Sequence, residues 1–97
     1  MTVTATLDLT LRADDLDAAY ASLHATLADT RTFEGSEGVQ VFIDSANPAH
    51  VLVIESWRSL EDDAAYRAWR QTPAGQSDLG SIIVGRPVLT KFEPSDL

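Results

Sequence analysis

The stretch that decides the fold runs from His50 to Trp69 and reads HVLVIESWRSLEDDAAYRAW. Its first half, from Val51 to Ile54, is rich in β-branched residues and apolar at every position. A strand without a polar face must be covered on both sides, so this segment is predicted to be a central strand of a sheet. Glu55 and Trp57 stand two residues apart and therefore share one face of that strand with Val53.

The second half of the stretch predicts a helix. Ser59 is a suitable N-cap, and the acidic residues 61–63 favour the positive end of a helix. The helix is expected to carry Tyr66 and Trp69 on one side. It should end near Thr72, because Pro73 lacks a backbone donor and restricts the residue before it.

Patterning divides the rest of the chain into four further elements. Strict alternation of apolar and polar residues predicts a first strand, and an i, i+3, i+4 stripe of leucines, Ala19 and Tyr20 predicts a helix after it. Asn47-Pro48 is expected in a turn. The predicted elements are strands at 2–12, 39–44, about 50–57 and 86–93, helices at about 14–31 and 61–72, and a turn at 45–49. The order β-α-β-β-α-β predicts an α+β, ferredoxin-like fold with a four-stranded antiparallel sheet.

Length and charge limit the possible partners. The 97 residues are expected to form a single domain, 1–97, with a modest core. A formal net charge of −8 repels phosphate backbones and anionic membrane surfaces, so neither nucleic acid nor a membrane is an expected partner. The chain has no cysteine, which excludes a disulfide framework and a thiolate nucleophile. With no apolar run long enough to span a bilayer and no signal-peptide pattern, a cytoplasmic location is expected.

The predicted sheet needs a second copy of the chain. Both helices can cover only one face, whereas the third strand is apolar on both. We expect Phe42 and Trp57 to remain for the other face, where a second sheet would cover them. This predicts a homodimer through the open sheet face, identified here as the face that carries Val53 and Trp57, with the two sheets closing a barrel.

The segment from Val51 to Trp57, with Tyr66, Trp69 and Pro73 downstream, resembles the antibiotic biosynthesis monooxygenase (ABM) domain family. The resemblance follows the order and length of nearly the whole chain and implies a dimeric α+β barrel. It also implies cofactor-independent oxygenation of planar phenols or quinols, of the antibiotic biosynthesis or quinol monooxygenase type. Trp57 matches the tryptophan that lines the family's cavity, and Glu55 matches the strand glutamate.

The chain also departs from the family pattern. Trp69 and Ala74 stand where many members have histidines, Val53 stands where the aromatic monooxygenases have an asparagine, and their arginine falls near Gly80. Two hypotheses follow. The chain is a cofactor-free monooxygenase, or it is a non-catalytic dimeric module that binds a hydrophobic aromatic small molecule.

Glu55 and Trp57 are the candidate catalytic residues. Burial would suit Glu55 to proton transfer. A salt bridge or hydrogen bond to Lys91, Arg86 or a group of the partner chain would make it structural instead. Trp57 could stack on a flat ligand or simply fill the dimer core. The predicted substrate-binding residues are Trp57, Val53, Phe42, Tyr66 and Trp69. His24 and His50 have no partner at ligand spacing, so no metal, haem or flavin cofactor is expected.

Overall fold

The computed structural model describes residues 2–97, which form a four-stranded antiparallel sheet with helices packed on one face. The predicted α+β, ferredoxin-like fold is confirmed. The strands are β1 (Val3–Thr10), β2 (Ser36–Asp44), β3 (Asn47–Trp57) and β4 (Val88–Phe92), and the helices are α1 (Leu16–Thr32), α2 (Leu60–Arg70) and the short α3 (Leu79–Ile82). Single 3₁₀ turns lie at Ala13–Asp15 and Pro73–Gly75. Within the described residues, no helix is long and apolar enough to cross a membrane.

The strand order is β2-β3-β1-β4, so β3 is an inner strand, as its apolar composition predicts. Residues paired across a sheet point to the same face. Val53 pairs with Leu7 and Val41, and Leu7 in turn pairs with Leu89. This set lies under the helices, on what we call the covered face.

The other side of the sheet, called the open face, carries the alternate residues. Leu52 pairs with Asp8 and Phe42, and Asp8 pairs with Val88. The open face includes Thr4, Thr6, Asp8, Thr10, Gln40, Phe42, His50, Leu52, Ile54, Ser56, Val88, Thr90 and Phe92.

The predicted assignment of faces is wrong for Val53 and Trp57. Both are fully buried on the covered face, whereas Phe42 lies on the open face and is 50% exposed. The alternation grouped Val53, Glu55 and Trp57 correctly. It could not show which group faces the helices, because both groups on β3 contain large apolar residues.

The β2–β3 turn is tighter than the predicted turn at 45–49. β2 ends at Asp44 and β3 begins at Asn47, so Asn47 and Pro48 belong to the strand. Asp44 accepts a hydrogen bond from the Ala46 backbone at 2.8 Å, which closes the turn. Pro48 has no backbone N–H to donate to a neighbouring strand. It is tolerated here because the pairing of β1 with β3 ends at His50, so no carbonyl of β1 needs a hydrogen bond from position 48.

An N-cap, an ion pair and a close glycine contact position the start of α2 over the sheet. Ser59 accepts a hydrogen bond from the backbone N–H of Asp62 and is the N-cap, as predicted. Asp62 also pairs with Arg58 at 2.8 Å, and the hydrogen bond from Arg58 lowers the pKa of Asp62. Gly35 packs against Asp62 at the start of α2. Its φ is 90°, and a β-carbon at this position would lie 2.5 Å from the Asp62 side chain, so a larger residue would not fit. The start of α2 is thereby fixed relative to the β2–β3 hairpin.

Candidate functional site

A cavity of about 450 Å³ opens between the sheet and the helices on the covered face. Leucines form most of its apolar wall, and Tyr66, Arg67, Arg70 and Glu55 form its polar end. The remaining wall comes from the segment after α2, where Gly75 is buried. A β-carbon at Gly75 would lie 2.0 Å from the carbonyl oxygen of Trp69, so only glycine lets the chain turn back here. A mostly apolar space with a few convergent polar groups is typical of a small-molecule site.

Glu55 is the acidic group of this cavity and is only 2% exposed. Arg67 donates from Nη2 to Glu55 Oε1 at 2.8 Å, and the indole Nε1–H of Trp57 donates to the same oxygen at 3.0 Å. Within residues 2–97, every hydrogen bond of this side chain ends on Oε1. Oε2 therefore remains as the acceptor that a ligand in the cavity can use.

Arg67 joins Glu55 to a second buried carboxylate. Its Nη2 also donates to Asp63 Oδ1 at 2.9 Å, and Asp63 is 1% exposed. The other oxygen of Asp63 lies 2.5 Å from Lys91 Nζ, which reaches across from β4. We call Glu55, Arg67, Asp63 and Lys91 the charge cluster. Its two carboxylates and two cations balance, which is the condition for burying charge.

Arg70 fixes the ring of Tyr66 at the same end of the cavity. Its Nε donates to the Tyr66 hydroxyl oxygen at 2.7 Å, and its Nη2 donates to the Thr26 carbonyl at 2.8 Å. The Tyr66 hydroxyl lies 2.6 Å from the buried Thr30 hydroxyl. This network ties α2 to α1, so both helices hold the polar end of the cavity in one shape.

An aromatic cluster lies behind the polar end. The Trp57 and Tyr66 rings are 5.0 Å apart, and Phe33 packs edge-on against Tyr66 with centroids 5.3 Å apart. Trp69 lies 5.3 Å from Phe33 and completes the cluster. Trp57 is fully buried there, with its indole aimed at Glu55 rather than at the cavity.

The predicted site residues therefore divide by position. Glu55 and Tyr66 line the cavity. Trp57 and Trp69 stand one layer behind it, in the aromatic cluster, and Val53 lies in the apolar core with Leu9 and Leu23. Phe42 is on the opposite side of the sheet and cannot reach the same ligand.

Sequence reasoning missed Arg67 as the partner of Glu55. Lys91, which was considered for that role, pairs instead with Asp63. The four-residue spacing of Asp63 and Arg67 on one helix could have indicated their pair. The pair with Glu55 depends on how α2 crosses β3, and that crossing cannot be read from spacing alone.

His50 is also less isolated than expected. It lies on the open face between Asp44 Oδ2 at 2.8 Å and Asp8 Oδ1 at 2.9 Å. The hydrogen bonds to Asp44 and Asp8 raise the pKa of His50, and the same contact lowers the pKa of Asp44. Across residues 2–97, no group of three or more histidine or acidic side chains is arranged to hold a metal ion.

Comparison with known proteins assigns most of the sequence to a family. A family model described as antibiotic biosynthesis monooxygenase matches residues 2–77. No curated protein matches the sequence.

Solved structures match the fold over nearly the full length. Rv0793 from Mycobacterium tuberculosis is 19% identical, with a TM-score of 0.79 over 100% of this chain and 98% of that chain. A variant of SnoaB, a cofactor-independent oxygenase from Streptomyces nogalater, is 13% identical, with a TM-score of 0.80 over 99% and 95% of the two chains. A conserved protein from Methanosarcina mazei is 9% identical, with a TM-score of 0.82 over 98% and 94%. At these identities the structures establish a shared fold.

Proposed function

The chain belongs to the antibiotic biosynthesis monooxygenase family, and on that premise we propose that it is a cofactor-independent monooxygenase acting on a planar phenol or quinol. The observation that carries the proposal is the 450 Å³ cavity with Glu55 at its polar end. Its leucine wall suits a flat aromatic body, and its polar groups suit one oxygen-bearing edge of that body. The similarity to SnoaB, named as a cofactor-independent oxygenase, supports the same reaction type.

In this proposal Glu55 is the general base. Its free Oε2 accepts a phenolic proton, and the resulting anion is electron-rich enough to react with dioxygen. The substrate supplies all four electrons that reduce dioxygen and both hydrogens of the water that forms; one oxygen atom enters the product and the other leaves as that water. The protein contributes orientation and a mostly apolar cavity wall.

Arg67, Tyr66 and Trp57 take supporting roles. Arg67 and Trp57 hold Glu55 Oε1, so that the free oxygen keeps one direction. Tyr66 presents a ring at the cavity wall, fixed by Arg70. Trp57 was expected to contact the substrate; we now propose that it positions the base.

We also propose that the protein is a homodimer through the open face. Phe42, Val88 and Phe92 are each at least half exposed there. Phe42 lies beside Leu52 on β3, whereas Val88 and Phe92 lie on β4, on the other side of the polar residues of β1. Exposed apolar side chains on both halves of this face favour association. Two such sheets packed face to face would form the dimeric barrel, with one cavity under the helices of each copy.

Oxygen consumption with a panel of anthrones and quinols in metal-free buffer tests the catalytic proposal. Glu55→Gln keeps the shape of the side chain and removes the base. It is expected to lower turnover about 100-fold or more while leaving binding nearly intact. Ser56→Ala, next to Glu55 but on the open face, is the matched control and should retain full turnover.

The alternative is a non-catalytic dimeric module that binds an aromatic small molecule in the same cavity. One observation favours it: Glu55 is engaged by Arg67 and Trp57 of the chain itself. In that case no substrate of the panel is oxidised, although the cavity still binds the aromatic compounds. Glu55→Gln then lowers the melting temperature and leaves binding unchanged.

A further inference from the structure

A second hollow of about 420 Å³ lies between α1 and the β2–β3 hairpin, and we call it the hairpin groove. Leu23 and Leu27 line both this groove and the cavity, so the two spaces lie on opposite sides of these buried side chains. The groove is therefore a separate site. Its lining residues are Tyr20, Leu23, His24, Leu27, Arg31, Val41, Ile43 and Val51.

The hairpin groove exposes apolar side chains of the covered face. Val41 is 38% exposed and Ile43 is 51% exposed, whereas their partners on β3, Val53 and Val51, are fully buried. The helix packs over the inner strands and leaves the outer strand β2 partly uncovered. An apolar ligand in the groove would therefore remove from water a surface that no part of residues 2–97 covers.

Hydrogen bonds between α1 and the hairpin hold the two ends of the groove. At one end the Tyr20 hydroxyl donates to the Pro48 carbonyl, and at the other Arg31 Nη2 donates to the Val39 carbonyl at 3.4 Å. A helix rises about 1.5 Å per residue, so Tyr20 and Arg31 stand about 16 Å apart along α1. The groove follows the helix over this length, which suits an extended chain better than a compact ring.

The ionisable side chains that line the groove on α1 are basic. Arg31 and His24 are both exposed, and no aspartate or glutamate belongs to the lining. Among residues 2–97, no carboxylate lies within ion-pair distance of Arg31, whose guanidinium makes its one hydrogen bond to Val39. An arginine is charged at any physiological pH. In a chain with a net charge of −8, the groove thus keeps a cation available for an anionic ligand.

We propose that the hairpin groove binds the anion of a fatty acid, with its alkyl chain on Val41 and Ile43 and its carboxylate at Arg31. The chain supplies most of the affinity, because each buried methylene group strengthens binding by up to about fourfold. The exposed ion pair adds only a few-fold and gives the ligand its direction. This site is independent of the proposed catalytic function, since it shares no polar residue with the cavity.

Titration of the ¹⁵N-labelled protein with decanoate, followed by NMR, tests both binding and position. Amide shifts are expected to change at Arg31, Val41 and Ile43. Octanoate, which is two methylene groups shorter, should bind about tenfold more weakly. Shift changes confined to the cavity residues Glu55 and Gly75 would place the ligand in the cavity and overturn the proposal, as would the absence of any saturable change.

Two ligands of equal chain length separate the charge from the apolar contact. Arg31→Met should weaken decanoate binding about two- to fivefold and leave the binding of decanol, which has no charge, unchanged. Arg31→Lys should bind decanoate as the wild type does. Arg86→Met removes the same charge from the exposed segment before β4 and is the matched control. Equal losses for decanoate and decanol in Arg31→Met, or an equal loss of decanoate in Arg86→Met, would overturn the proposal.

The alternative occupant of the groove is a second copy of the chain. Ile43→Gln should weaken the binding of both ligands and keep the sedimentation mass of the wild type. Val84→Gln is its control, because Val84 is similarly exposed but lies outside the groove, the cavity and the open face. A lower mass for Ile43→Gln than for Val84→Gln, with unchanged decanoate binding, would assign the groove to contacts between copies and overturn the proposal.

Discussion

Both faces of β3 carry large apolar residues, but their surroundings differ. On the covered face, Val53 and Trp57 are fully buried and surround a carboxylate that has its own cation. On the open face, Leu52 and Ile54 are only partly buried and stand beside a histidine held between two aspartates. The covered face is complete within one chain. The open face mixes polar residues with apolar side chains, such as Phe42 and Phe92, that remain half exposed.

This difference separates two kinds of dependence on charge. The ion pairs of the charge cluster are shielded by α2 and β4. Removing one charged partner therefore leaves a buried charge without a counter-ion. In the single chain the contacts of His50 are open to solvent, where water and salt can replace them. The same type of interaction is therefore expected to matter greatly under the helices and little outside them.

The largest expected effect comes from placing a charge on either face of β3. Val53→Asp should abolish folding, because an unpaired carboxylate at a fully buried position costs several kcal/mol in order of magnitude. Leu52→Asp, its neighbour on the open face, should fold and sediment as a monomer. Circular dichroism and sedimentation equilibrium measure both outcomes. A folded Val53→Asp protein would contradict the assignment of the covered face.

Removal of Arg67 is the next largest effect. Arg67→Met leaves Glu55 and Asp63 without their shared cation, and we expect a loss of about 3–5 kcal/mol in the free energy of unfolding. Arg58→Met, which breaks a solvent-exposed pair with Asp62, is the control and should change stability little. Urea denaturation gives both values. Equal losses would show that the charge cluster is no more protected than the surface pair.

A smaller effect is expected for an aromatic residue on the open face. Phe42→Ala should reduce the stability of the isolated chain by about 1 kcal/mol or less, because the ring is already half exposed. It should weaken self-association more clearly, since the ring would be covered only in the dimer. Sedimentation equilibrium at micromolar concentration follows the dimer. A wild-type protein that is monomeric under these conditions would contradict the homodimer.

The smallest effect concerns pH. Hydrogen bonds to Asp44 and Asp8 raise the pKa of His50 above its usual value of about 6.5. Its stabilising contribution is therefore complete below about pH 6.5 and is lost as the pH rises through the higher folded value. The melting temperature should fall slightly in the wild type as the pH rises above about 6.5. This fall should be absent in His50→Gln. An identical fall in both proteins would assign it to other groups.

The fold could be predicted because its main signals are local. The alternation in β1, the apolar run of β3 and the Ser59 cap each require only neighbouring residues, and together they give the element order. The faces of β3 could not be assigned in this way, because residues at even and odd positions are both apolar. The helices decide which group is covered, and their crossing depends on the whole tertiary structure.

Part of the candidate site could also be predicted from local sequence. Glu55 was recognisable as a carboxylate in an apolar strand, and the family resemblance pointed to the same residue. Arg67 was not recognisable as a site residue, because a charged residue on a helix is most often exposed to solvent. Its role follows from a pair that spans twelve residues and two elements.

The exposed edge of the sheet has a consequence for solubility. β2 is an outer strand, and Val41, Phe42 and Ile43 on it are all exposed to some degree. Such an edge can accept a strand from another molecule. At neutral pH the net charge of −8 opposes such further association through the edge, but fifteen carboxylates lose that charge progressively in acid. Precipitation in mild acid, with protein that is still folded, is therefore the expected failure of this molecule in storage, and buffers well above that range should prevent it.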